Sequence, residues 1–192
     1  NEFETKRRKK SPEMQTAHIP MLTQGPDIYL SATGLTPSQL IDIGRKLTYY
    51  SPFIIPFSYS SPFYAGERWH GLSARTFYRT GARPAAMVFL EHESDLIDSN
   101  PSLTQLARVP AEIGRIEFKA IDSCGDFDLY ASLSALLKGL VIDQTLKGRR
   151  TLPDADWHQR SAQFGLMDEE IYRYAEGAIA AAKHALMETG EL

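Results

Sequence analysis

The alternation of apolar and polar residues is sharpest at Arg115-Ile116-Glu117-Phe118-Lys119-Ala120. A period of two predicts a strand with Ile116, Phe118 and Ala120 on one face and Arg115, Glu117 and Lys119 on the other. Such a strand has one side packed and the other facing water or a ligand. Leu129, Leu133, Leu136, Leu137 and Leu140 then form a broad helical stripe. Asp126 is placed to cap that helix and Gly148 to stop it. The charged strand is thereby anchored to a buried helix.

The remaining pattern predicts shorter pieces. Asp27 to Ser31 reads as a strand with Ile28 and Leu30 on one face. Thr36-Pro37 starts a helix that Leu40, Ile43 and Leu47 continue, and Pro52 and Pro56 break or kink it. Residues 49–69 carry eight aromatic side chains among serines and prolines and predict a buried, irregular wall, or else the lining of a cavity. Gly71 to Gly81 reads as a loop bearing Arg75 and Arg79, with Arg83 just beyond. Ala85 to Glu91 predicts a strand, and Pro101 to Val109 a short helix. Two more helices are expected, at 154–164, ended by Gly165, and at 168–188, capped by Asp168. Ile171, Ala175, Ala178, Ala182 and Ala185 give the last one a narrow face suited to close packing. The set is α+β, with about three strands and about five helices. So few strands leave open edges, which suggests part of a larger sheet.

Composition narrows the function classes. At 192 residues and 43% hydrophobic content the chain can bury a core. A net charge of −3 provides no field that selects nucleic acid or acidic membrane. No apolar run is long enough to span a bilayer, so no membrane role is expected. The single cysteine, Cys124, rules out an intrachain disulfide and fits a reducing, cytoplasmic setting. Residues 1–18, with the run Lys6-Arg7-Arg8-Lys9-Lys10, read as a flexible basic segment. A nucleic-acid patch is the competing reading of that run, but no aromatic stacking pattern accompanies it. Residues 19–192 form the folded part.

Familiar catalytic signatures are absent. There is no P-loop, dinucleotide fingerprint, His-x-x-x-His pair or nucleophile elbow. Cys124 reads as a small, half-buried thiol rather than a nucleophile. Charge remains. Glu117, helped by Asp122, can hold a divalent cation, and Arg75, Arg79, Arg83, Arg115 and Lys119 can bind carboxylate or phosphate. Each also suits an ordinary solvated surface.

Two stretches together resemble a known family. Ser60-Ser61-Pro62-Phe63-Tyr64-Ala65-Gly66 with Gly71-Leu72-Ser73-Ala74-Arg75, and Arg115 to Asp122 with its Leu-rich helix, are similar to the signature segments of the glutamate–cysteine ligase type 2 (carboxylate–amine ligase) family. Residues 36–188 follow the order of that family's C-terminal half. The resemblance implies a glutamine-synthetase-like antiparallel sheet packed on helices, holding ATP and Mg2+. It also implies a two-step reaction. ATP phosphorylates a carboxylate, glutamate-like, and an amine then attacks the acyl phosphate. By the same resemblance Arg75, Glu117 and Lys119 are the catalytic candidates. Arg75, Ser73 and Arg79 would bind substrate, Arg115 and Lys119 the nucleotide, and Glu117 and Asp122 the metal. Lys119 stands where the family usually has arginine, Ser60 where it has asparagine, and Asp27-Ile28-Tyr29 where it often has His-x-His. The family's N-terminal half, with its Glu-x-Glu strand, lies outside the resemblance. The expected partner is therefore a complementary N-terminal half or a second copy of the chain. A ligase-derived subunit that binds a partner or an amino acid without turnover is the alternative.

Overall fold

Thr36 accepts a hydrogen bond from the Gln39 N–H while the Gln39 side chain bonds back to the Thr36 N–H, and this capping box opens helix α1 (Pro37–Ile54). The computed structural model describes residues 25–31, 34–81 and 83–191. The basic segment expected at residues 1–18 lies outside the described residues. Pro52 lies inside α1 without ending it. A proline deprives the carbonyl four residues back, that of Thr48, of its helical donor. The Ser51 hydroxyl sits 2.8 Å from that oxygen. A 3-10 turn at Ile55–Ser58 follows, then the hairpin of β2 (Phe63–Tyr64) and β3 (Glu67–Arg68). The aromatic wall expected at 49–69 is thus helical at its start and a hairpin at its end.

The main sheet contains β1 (Ile28–Ser31), β4 (Ala86–Leu90), β5 (Thr104–Leu106) and β6 (Arg115–Phe118), in the order β1-β6-β4-β5. Strand β6 runs antiparallel to both β1 and β4, while β5 runs parallel to β4. The protein is α+β with a small mixed sheet, not a wholly antiparallel one. Strand β5 replaces the short helix expected at Pro101–Val109. Its three residues are too few for an alternating pattern to register.

Ser73 caps a short helix, α2 (Ala74–Arg79), where the sequence predicts a loop. Helix α3 (Phe127–Ile142) is capped by Asp126 as expected but ends before Gly148, at Asp143. The Asp143 carboxylate accepts from the Thr145 and Leu146 N–H groups and so turns the chain there. Helices α4 (Ala155–Phe164) and α5 (Glu169–Glu188) lie where the sequence places them.

The core forms where the apolar face of the sheet meets α1. Ile116, Phe118 and Val88 come from the sheet, Leu47, Ile54 and Ile55 from α1 and its extension, and Leu137 and Leu140 from α3. The five small or branched residues expected on one face of α5 are all buried. Gly139 of α3 makes the α3–α5 contact close. A Cβ there would lie 2.5 Å from the Ala182 carbonyl oxygen. Gly139→Ala is expected to lower stability by about 1–2 kcal/mol, because overpacking outweighs the gain in helix propensity. Thermal unfolding checks this, and an unchanged or raised Tm refutes it. Among the described residues, no helix is long and apolar enough to cross a membrane.

Candidate functional site

The register of β1 against β6 builds the site. Tyr29 pairs with Glu117, and Glu117 pairs on its other side with Met87 of β4. Residues paired across a sheet present their side chains on the same face. Glu117 is therefore flanked by the segment Asp27-Ile28-Tyr29, about 90 residues away in sequence. Its carboxylate lies 3.2 Å from the Lys119 ammonium. The Asp27 carboxyl and the Tyr29 hydroxyl lie close enough to feel its charge.

The electrostatics follow from this crowding. Burial pushes the pKa of Asp27 up, and the adjacent Glu117 charge pushes it further, while Lys119 pulls it down. Burial and then the Glu117 charge raise the Tyr29 phenol as well. A neighbouring negative charge disfavours the ionised form of Asp27, so a cation beside the two carboxyls is favoured. Glu117 is only 7% exposed, so the charged face of β6 does not stand free in water. Arg115 lies over the rings of Tyr29 and Phe89, at 4.7 and 4.3 Å, and its guanidinium bonds Glu112 at 3.0 Å. Bonds from Arg108 first, and the Arg115 charge in addition, hold the Glu112 carboxyl down at about 2.

A second group lies just past the end of β6. Asp122 is fully buried. Its two oxygens accept from the Ser60 N–H at 3.0 Å and the Ser73 hydroxyl at 3.2 Å, and the Arg75 guanidinium is 3.8 Å away. The Asp122 N–H donates to Ser58 Oγ, and the Ser60 hydroxyl donates to the Ser123 carbonyl. Arg75 itself donates to the carbonyls of Ala120 at 2.7 Å and Lys119 at 2.8 Å. Burial lowers its pKa, with Asp122 opposing. Gly25 presses on this group. A Cβ there would meet the Ile121 carbonyl oxygen at 2.3 Å and the Arg75 guanidinium at 2.6 Å.

Of the residues expected from sequence, Glu117 and Lys119 meet on one sheet face, joined by Asp27 and Tyr29. Asp122, Ser73 and Arg75 meet at the end of the strand, in a bonded group that joins the segments around residues 60, 73 and 122. Arg115 faces Glu112 and the rings. Arg79 lies half-buried in the last turn of α2, and Arg83 just before β4. Sequence reasoning missed Asp27 and Tyr29 as members of the charged group. Their alternation marked a strand but not its neighbour. It also missed Lys46, a buried lysine whose ammonium donates to the Asp143 carbonyl and lies 3.9 Å from the Asp143 carboxylate.

Clefts lined by described residues lie on the helical layer, among them one of about 570 Å3 between α1 and the end of α3. Among the described residues, no group of three or more His, Cys, Asp or Glu side chains converges as a metal cage. Comparison with family models, with curated proteins and with solved structures gives no match.

Proposed function

We propose that the chain is the C-terminal portion of an ATP-dependent carboxylate–amine ligase, with a glutamine-synthetase-like catalytic domain completed by an N-terminal half. The observation that carries this reading is the convergence on Asp122. The two stretches that resemble the ligase family are far apart in sequence, yet Ser60 and Ser73 of the first both hydrogen-bond to Asp122 of the second, and Arg75 lies 3.8 Å from it. The strand that ends at this group carries Glu117 and Lys119.

The donor set suits the implied ligands. Mg2+ takes oxygen ligands and is commonly held by one or two carboxylates together with phosphates and water. Glu117 and Asp27 supply the carboxylates, and Lys119 the cation that a phosphate needs. Asp122 is the weaker metal candidate, because Ser60 and Ser73 already use its oxygens. Arg75 acts as a positioning residue. Its terminal nitrogens hold the main chain of 119–120 and so set where the Lys119 side chain begins. ATP would supply the phosphoryl group that activates the carboxylate.

The engagement of Arg75 also favours a second reading, a ligase-derived subunit without turnover, since the main chain occupies the arginine expected to bind substrate. One experiment separates the two. The chain is co-expressed with an N-terminal ligase half bearing a Glu-x-Glu strand, and magnesium-dependent ADP release is measured with a panel of amino acids. The ligase reading expects turnover in the assembly and none in the chain alone. It also expects Glu117→Gln to lower that turnover roughly tenfold or more while melting stays unchanged. An assembled but silent complex that still binds an amino acid supports the second reading. A complex that binds neither nucleotide nor amino acid removes both.

A further inference from the structure

One exposed stripe of α5 has a symmetric spacing. Tyr172, Glu176, Ile179, Ala180, Lys183 and Met187 are all exposed, and they are spaced symmetrically about a point between Ile179 and Ala180. At about 100° per residue these six fall within one third of the helix circumference. Their steps of four, three, one, three and four make the narrow seam of a packed helix pair. We propose that this face is the interface between two copies of the chain, with α5 packed antiparallel on α5 of the second copy about a two-fold axis.

Charge argues for a second copy rather than another partner. In the antiparallel arrangement each Glu176 faces Lys183 of the other copy, so one sequence forms two opposite-charge pairs. Each Tyr172 likewise faces Met187, and Ile179 faces Ala180 at the centre. The parallel arrangement would set Glu176 against Glu176. A two-fold interface has to be self-complementary in this sense. The flanks are apolar and concave. A cleft of about 320 Å3 lies beside Tyr172, between Leu166, Phe57 and Ile179. Another of about 310 Å3 lies beside Lys183, between Leu136, Leu186 and Phe57. The first is placed to receive Met187 of the other copy, and the second its Tyr172. The inference does not depend on the ligase reading.

The test is the mass of the full chain in solution over a range of concentrations. The wild type is expected to be dimeric. Glu176→Lys and Lys183→Glu alone each turn two attractive pairs into repulsive ones and should weaken the dimer about tenfold or more. The double variant Glu176→Lys with Lys183→Glu restores both pairs and should restore the dimer. Both positions are exposed, so circular dichroism should show unchanged folding. A wild type that stays monomeric at high concentration overturns the proposal. So does a dimer indifferent to either single reversal, or a double variant no better than the singles. If the wild-type chain is monomeric but a co-expressed ligase half covers α5, the face belongs to that half instead, which also overturns it.

Discussion

Asp122→Ala is expected to lower folding stability by about 3–5 kcal/mol, among the largest losses for one substitution in this chain. Asp122 is fully buried and answers three groups at once. Without it, the Ser60 N–H loses its acceptor and the Ser73 hydroxyl loses another. The Arg75 guanidinium, itself buried, is then left without its carboxylate. An unpaired buried charge costs far more than the pair gains. Asp122→Asn keeps the shape and one acceptor, so it should recover part of the loss. Urea unfolding measures both. A loss below about 1 kcal/mol for the alanine variant would mean that water reaches the site and that Asp122 organises nothing.

The second large effect is on acid stability. His158 is buried, with Nδ1 donating to the Asp154 carbonyl at 2.5 Å and Nε2 beside the Ser51 hydroxyl at 2.9 Å. A carbonyl only accepts, so Nδ1 carries a proton. Burial lowers the pKa of this histidine to about 4, from an ordinary value of 6.5. Between those values the unfolded chain binds a proton that the folded chain refuses. Stability is therefore complete above pH 6.5 and falls progressively as pH drops to about 4, by roughly 3 kcal/mol. Asp42, Asp143 and Asp168 are held below the ordinary carboxylate value of 3.8, so their losses begin at lower pH. The comparison is His158→Gln. Its stability should be lower at neutral pH but flatter between pH 6.5 and 4. Parallel pH profiles for the two proteins would show that His158 is not the group responsible.

What the sequence made legible is local. Thr36-Pro37, Asp126 and Asp168 mark helix starts because a cap and its N–H partners lie within three residues. The alternation at 115–120 marks a strand because one face must be apolar throughout. The pairing of Tyr29 with Glu117 was not legible, since nothing in either segment encodes its neighbour. Strand β5 was missed because three residues carry no period, and α2 because six residues between glycines resemble a loop. Most of the charged residues were found, Asp27 and Lys46 excepted, but their division into a Glu117 group and an Asp122 group depends on distance. Asp122 looks like Glu117 in the sequence. Only burial and the positions of Ser60 and Ser73 distinguish the two.

The sheet order has a consequence for biosynthesis. Strand β6 is the shared neighbour of β1 and β4, yet it is the last of the main-sheet strands to be translated. Strand β1 waits about 90 residues for its partner, several seconds at ordinary elongation rates. During that interval β4, whose five residues are all buried in the finished fold, has an uncovered edge and two apolar faces. The nascent chain is thus most prone to misassociate between the emergence of β4 and that of β6. The arrival of β6 then supplies the strand on which β1 and β4 both pair, and with it the Glu117 side of the charged group.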